Sequence, residues 1–287
     1  MHSRRLVKVG AAISPVLGVA LLVAWGLWPA DSVGPCVVAN GPVKLPEIPE
    51  ASGLAVSRRN PGVLWSHNDS GNATVLSALD TGGTLVGRVR VPIRTQDWED
   101  ISAARCPSGD CLYIADIGDN RAARSRVHIY RVSEPAPGDA QTAAPEVFDV
   151  TYADGPHNAE AMFVIGPDLF IITRDRIGGV YRSTVSGSRE LIFQRIGQLG
   201  LEAVTDAEAS RDEKSVVVRT SHEAVLYRTD DLILGRSVPY LRIPLDRLKE
   251  AQGEGVALDG SILYLSSEGR LWSRAGRLVS LHCNLSR

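Results

Sequence analysis

Aromatic residues are scarce in this chain, at 6% of 287, and methionine occurs twice. Cysteine is limited to four residues, with no Cys-x-x-Cys pair and one adjacent histidine, His282 beside Cys283, so a zinc cluster is not expected. No Gly-x-Ser-x-Gly, His-Glu-x-x-His, Walker or dinucleotide-binding pattern occurs, which removes the enzyme classes those motifs carry. No basic stripe is present, and the formal net charge is −2, so nucleic acid is not an expected partner. Sustained helical periodicity is also missing; Leu245 to Ala251 is the one piece with a helical pattern. Glycine (27) and proline (16) are abundant instead, which fits many turns between short strands. With 44% apolar and 22% charged residues, the chain falls in the globular range rather than the disordered one.

The one long uncharged run is Val9 to Trp28, preceded by Arg4, Arg5 and Lys8 with no acid. Such a segment is a secretory signal or a membrane anchor, and its length of about 20 residues favours an uncleaved anchor through residues 9–28. Ala24-Trp25-Gly26 is a weak cleavage site, so removal stays open. Either way the body is expected to be extracytoplasmic, secreted or held at the cell envelope. In that compartment the cysteines read as disulfides. Cys106-Pro-Ser-Gly-Asp-Cys111 encloses a turn and suits a hairpin staple, leaving Cys36 to join Cys283.

Stacking the apolar runs reveals a repeat of about fifty residues. Its units open at Glu50-Ala-Ser-Gly-Leu-Ala55, Trp98-Glu-Asp-Ile-Ser102, Asn158-Ala-Glu-Ala-Met162, Thr205-Asp-Ala-Glu-Ala209 and Gly253-Glu-Gly-Val-Ala257. Each opening leads through a turn to a stronger strand, such as Val63-Leu-Trp-Ser-His-Asn-Asp69 or Leu169-Phe-Ile-Ile-Thr-Arg-Asp175. A third run often carries an aromatic, as in Val127-His-Ile-Tyr-Arg131 or Leu271-Trp-Ser273. The expected fold is all-β: a single β-propeller of five blades, six being the alternative, each of about four antiparallel strands. Residues 1–30 form the signal or anchor, 31–45 a linker and closing strand, and 46–287 the propeller. Glu134 to Pro145, rich in proline and alanine, reads as an outer loop. Cys36 to Lys44 would complete the last blade, with the Cys36–Cys283 bond as the clasp.

Antiparallel strands bring the start of each first strand and the end of each second strand to one face. The starts place Ser52, Glu99, Glu160, Asp206 and Glu254 around the axis. The strand ends add His67, Asp69, Asp116, Asn120, Arg174, Asp175 and Glu268 as face-lining residues. Carboxylates packed round one axis repel, and are relieved by raised pKa values, by arginines such as Arg174 and Arg219, or by a cation. Oxygen ligands from several chain segments favour Ca²⁺, with Ser52, Glu99, Glu160, Asp206 and Glu254 as the ligand set. For chemistry the candidates are Glu160, Asp119 and His222.

Glu50-Ala-Ser-Gly-Leu, Trp98-Glu-Asp-Ile, Asp116-Ile-Gly-Asp-Asn120, Asn158-Ala-Glu-Ala and Gly253-Glu-Gly-Val together resemble bacterial secreted β-propellers of phytase- or esterase-like type. The pattern is also similar to the calcium-activated nucleotidases, five-bladed propellers with one central Ca²⁺. That resemblance implies a calcium site at the blade starts. It supports an activity less, because the body has no clear basic cluster for a polyphosphate. The expected role is a monomeric scaffold that binds a small molecule, a glycan or a protein on its acidic face. The alternative is a Ca²⁺-dependent hydrolase of phosphoesterase, esterase or lactonase type.

Overall fold

A computed structural model describes residues 32–269 and 275–285. The anchor reading of residues 1–30 and the run Leu271-Trp-Ser273 lie outside the described residues. Among the described residues no helix is long and apolar enough to cross a membrane.

The chain is all-β. The described residues begin with β1 (Ser32–Val33) and β2 (Cys36–Leu45), then build antiparallel groups in sequence order. β3 (Ala51–Val56), β4 (Val63–Asn68), β5 (Val75–Asp80) and β6 (Leu85–Arg90) form the first sheet. β7 (Asp100–Cys106), β8 (Gly109–Asp116), β9 (Val127–Ser133) and β10 (Glu146–Tyr152) follow in the same meander. β11 (Ala159–Ile165), β12 (Asp168–Thr173), β13 (Gly179–Thr184) and β14 (Glu190–Gln198) repeat it. β15 (Val204–Ala209), β16 (Ser215–Thr220), β17 (Glu223–Arg228) and β18 (Pro239–Pro244) make another four-stranded sheet. β19 (Gly253–Asp259), β20 (Ile262–Ser267) and β21 (Gly276–Cys283) come last. β2 pairs antiparallel with β21, with Cys36 opposite Cys283, and so completes that sheet from the other end of the chain.

The first strands β3, β7, β11, β15 and β19 touch one another in cyclic order, β19 returning to β3. Sheets radiating from a closed ring of inner strands are the arrangement of a β-propeller. The outer strands β10 and β14 also pair, in parallel, and merge two groups into one eight-stranded sheet. Second strands such as Leu169-Phe-Ile-Ile are buried on both faces because each sheet is sandwiched between neighbours. The apolar core is accordingly divided into clusters between sheets. Phe148 and Tyr113 meet Met162 and Phe193, whereas Phe163 and Phe170 meet Val216 and Tyr227.

Both expected disulfides are present, Cys36–Cys283 and Cys106–Cys111. The first links positions 247 residues apart, and in the chain-entropy picture closing so long a loop stabilises by about 5 kcal/mol. The helical expectation for Leu245 to Ala251 is corrected: that stretch holds only a 3₁₀ turn, Asp246–Leu248, and among the described residues the α-helix is α1 (Thr229–Ile233). The stretch Glu134 to Pro145 is more than an outer loop. Glu134 is fully buried and accepts hydrogen bonds from Trp65 Nε1 (2.8 Å), from the amides of Arg58 and Arg59 (3.1 and 3.0 Å) and from Ser57, joining neighbouring sheets.

Candidate metal centre

Four inner strands begin with a register irregularity, at Ala51/Leu54, Ala159/Ala161, Val204/Asp206 and Gly253/Val256. A bulge re-aims the side chain it carries. Here it accompanies a polar residue at the entrance of the ring. The entrance is a cavity of about 270 Å³. Its walls carry six carboxylates, Asp69, Asp97, Glu99, Glu160, Glu254 and Glu268. The neutral oxygens and amides of Ser52, Ser70, Asn120 and Gln252 share it, and Arg174 is the one cation among the lining residues.

One carboxylate oxygen from each of Asp69, Asp97 and Glu99 lies within 4.8 Å of the other two. Backbone packs directly on this group, since a Cβ at Gly118 would collide with Glu99 Oε1 and Asp97 Oδ2. Asp116 holds the segment that presents Asp97: its carboxylate accepts the Asp97 amide (2.7 Å) and pairs with Arg124 (3.1 Å). Arg174 forms an ion pair with Glu160, so Glu160 is already partly neutralised. Glu254 is 5% exposed, and its Oε1 has no hydrogen-bond partner.

Crowding shifts the protonation of these acids. Burial, reinforced by Asp69, Asp97 and Glu254, pushes Glu99 up to about 9. Burial also raises Asp69 and Glu254. Glu268 is pushed to about 7 by burial and by Glu254, Asp69 and Glu50.

Ser52, Glu99, Glu160 and Glu254 thus converge with Asp69, Asn120, Arg174 and Glu268. Asp206 does not. It is fully buried below the cavity and accepts the amides of Val256 and Leu54 (3.3 Å). The residue matching Ser52, Glu99, Glu160 and Glu254 is Thr205, one position earlier. The hydroxyls of Ser52 and Thr205 play the same part, each donating to the carbonyl of the next sheet's residue, Glu99 (2.6 Å) and Glu254 (2.9 Å). Asp206 instead matches Asp100, which accepts the Met162 amide (2.6 Å). The two acids face each other, and burial together with Asp206 raises Asp100 well above the carboxylate range, so that it stays protonated and hydrogen-bonds to Asp206.

Other expected face residues have local duties. His67 is fully buried against Trp98, with ring centroids 4.3 Å apart, and burial lowers it to about 4, so it is a neutral packing residue. Asp175 caps its own turn by accepting the amides of Ile177 and Gly178 and the Thr173 hydroxyl. Asp119 accepts the Arg124 amide (2.6 Å) within its loop. His222 is exposed and pairs with Asp246 (3.0 Å). Glu160, Asp119 and His222 are therefore not assembled into one catalytic group. Arg219 is buried and binds Glu250 and the carbonyls of Gly255 (2.6 Å) and Ser266 (2.8 Å), away from the cavity lining. The main residue missing from the expected set is Asp97. It stands in the loop before β7, outside any alternating pattern, and its signal was the acidic run Asp97-Trp-Glu-Asp100.

No family model and no curated protein matches the chain. Solved structures do show likeness in fold. A gluconolactonase from Xanthomonas campestris aligns at 9% identity and a TM-score of 0.44, covering 88% of this chain and 99% of that one. The WD40 repeats of RRP9 align at 15% identity and 0.42, covering 82% and 67%. A hydrazine synthase from Kuenenia stuttgartiensis aligns at 14% identity and 0.38 over 80% of this chain, which spans 58% of that one. Likeness at this level names no activity.

The donor set is made of oxygens. Carboxylates from separate loops, with hydroxyl and amide oxygens beside them, suit a hard cation of high coordination number.

Proposed function

We propose that this chain is a five-bladed β-propeller whose axial cavity binds Ca²⁺, and that the loaded face serves as an extracytoplasmic binding scaffold. The observation that carries the metal is the convergence of Asp69, Asp97 and Glu99 beside the unpartnered Oε1 of buried Glu254. The blade count counts the eight-stranded sheet as two blades joined by β10 and β14. The two disulfides support an oxidising compartment. A cation at the carboxylate group, with Arg174 at its side, offers an anionic or hydroxyl-rich ligand two points of attachment: a small molecule, a glycan or a protein segment. The scaffold reading is preferred to a hydrolase because Glu160, Asp119 and His222 stand apart.

Thermal melting of the purified protein in Ca²⁺ and in excess chelator tests the metal. Ca²⁺ is expected to raise the melting temperature by several degrees through binding to the folded state alone. The double variant Asp97→Asn/Glu99→Gln is expected to lose that difference. Superimposable melts of the wild type in the two conditions would sink the proposal.

A further inference from the structure

A second cavity, of about 410 Å³, lies at the other end of the strands. β7 and β11 start next to Glu99 and Glu160 and finish at Cys106 and Ile165. Seven extended residues put those ends ~20 Å away from the axial entrance. The rim is made by the turns there, at Cys106, Pro167 and Ser188, the first of them stapled by the Cys106–Cys111 bond.

Its apolar surface is offered by Pro107, Pro167 and Val185, and Tyr113 and Phe148, 2% and 1% exposed, lie beneath. Around it stand Arg105, Arg131 and Arg189, against the single acid Glu146. The Arg131 guanidinium carbon lies 5.2 Å from the Phe148 ring centre and 5.8 Å from that of Tyr113. That of Arg189 lies 5.4 Å from Phe148. Glu146 is shared, accepting from Arg131 Nε and from Arg189, both at 2.5 Å. Arg105 makes no ion pair among the described residues. One carboxylate therefore faces three cations, in a chain whose net charge is −2. Each guanidinium carries five N–H donors, so sharing one carboxylate leaves most of them for a ligand.

We propose that this cavity binds a small organic anion with a flat apolar body, of the aromatic carboxylate class. The carboxylate is forked by the guanidinium groups, and the ring stacks on the guanidinium planes that Phe148 and Tyr113 back and lies against Pro107, Pro167 and Val185. The site is independent of the axial metal centre and opposite to it in charge.

Isothermal titration of the full chain tests this with three probes: 2-naphthoate, the neutral 2-naphthalenemethanol and acetate. Naphthoate is expected to bind saturably at one site. The alcohol, which lacks the charge, and acetate, which lacks the body, are each expected to bind at least about tenfold more weakly, the worth of a charged hydrogen bond. Arg105→Ala/Arg189→Ala alters exposed side chains and is expected to weaken naphthoate by at least the same factor, whereas Glu99→Gln leaves it unchanged. Absence of saturable naphthoate binding, equal binding of acid and alcohol, or naphthoate affinity untouched by the double arginine variant would each overturn the proposal.

Discussion

Calcium binding at the axial cavity should be driven by pH, and the size of the effect follows from Glu99. In the metal-free protein its carboxyl is raised to about 9, first by burial and then by Asp69, Asp97 and Glu254. At pH 7 it is protonated, and Ca²⁺ has to displace that proton. Two pH units below the pKa, displacement costs about 2.7 kcal/mol, or about a hundredfold in apparent Kd relative to pH above 9. Glu268, near 7, contributes roughly half a proton more at neutral pH. Affinity is therefore expected to rise between pH 6 and 9, with one to two protons released per ion near pH 7. Titration calorimetry in two buffers of different ionisation enthalpy reads that release directly. The same linkage has a sign for stability. A carboxyl raised on folding stabilises fully below its ordinary value near 4.5, and that contribution is lost as pH rises through about 9. In chelator the melting temperature should fall across that window, and Ca²⁺ should restore it. Calcium binding with no proton release and no pH dependence would refute the reasoning, because the ion would then not be held by these carboxyls.

Asp206→Ala should lose about 2–6 kcal/mol, since two buried amides, of Leu54 and Val256, are left without an acceptor. Asp206→Asn keeps an acceptor and should melt within a few degrees of the wild type; equal losses in chemical denaturation would defeat this account. Cys36→Ser/Cys283→Ser should lower stability by up to about 5 kcal/mol, measurable by denaturant titration, with the ring opening first between β2 and β21. Asp116→Ala removes the carboxylate that accepts the Asp97 amide and should weaken Ca²⁺ about tenfold, read by calorimetry, while every proposed ligand carboxylate is kept.

Much of the ring was legible because its units punctuate themselves: a small or acidic opening, a turn, then an apolar run buried on both faces. The disulfides were legible for a similar reason, one spanning a turn and the other joining the first strand to the last. The tertiary duties of single polar residues were not. Nothing local distinguishes His67, which ends a strand and packs under Trp98, from a histidine on the open face. Nothing local shows that Glu134, in a proline-rich loop, would collect five donors from another sheet.

The misplacement of Asp206 shows where pattern alone stops. Aligning acid with acid puts Asp206 beside Glu99, yet the ladder puts Thr205 there and Asp206 beside Asp100. The result is two acidic layers with different physics. In the lower layer, Asp206 accepts amides from β3 and β19, Asp100 accepts one from β11, and a hydrogen bond between the two carboxyls joins β7 to β15. Every inner strand is tied by those two side chains, and protonation removes the repulsion. The upper layer has six carboxylates and one arginine, and Arg174 is engaged with Glu160. Among the described residues one backbone amide serves it, that of Ser70 on Asp69. Its charge is relieved by keeping protons at the cost of raised pKa values, or by exchanging them for a divalent ion. The same residue type thus closes the ring in one layer and is left with its own repulsion in the next, and the supply of amide donors decides between them.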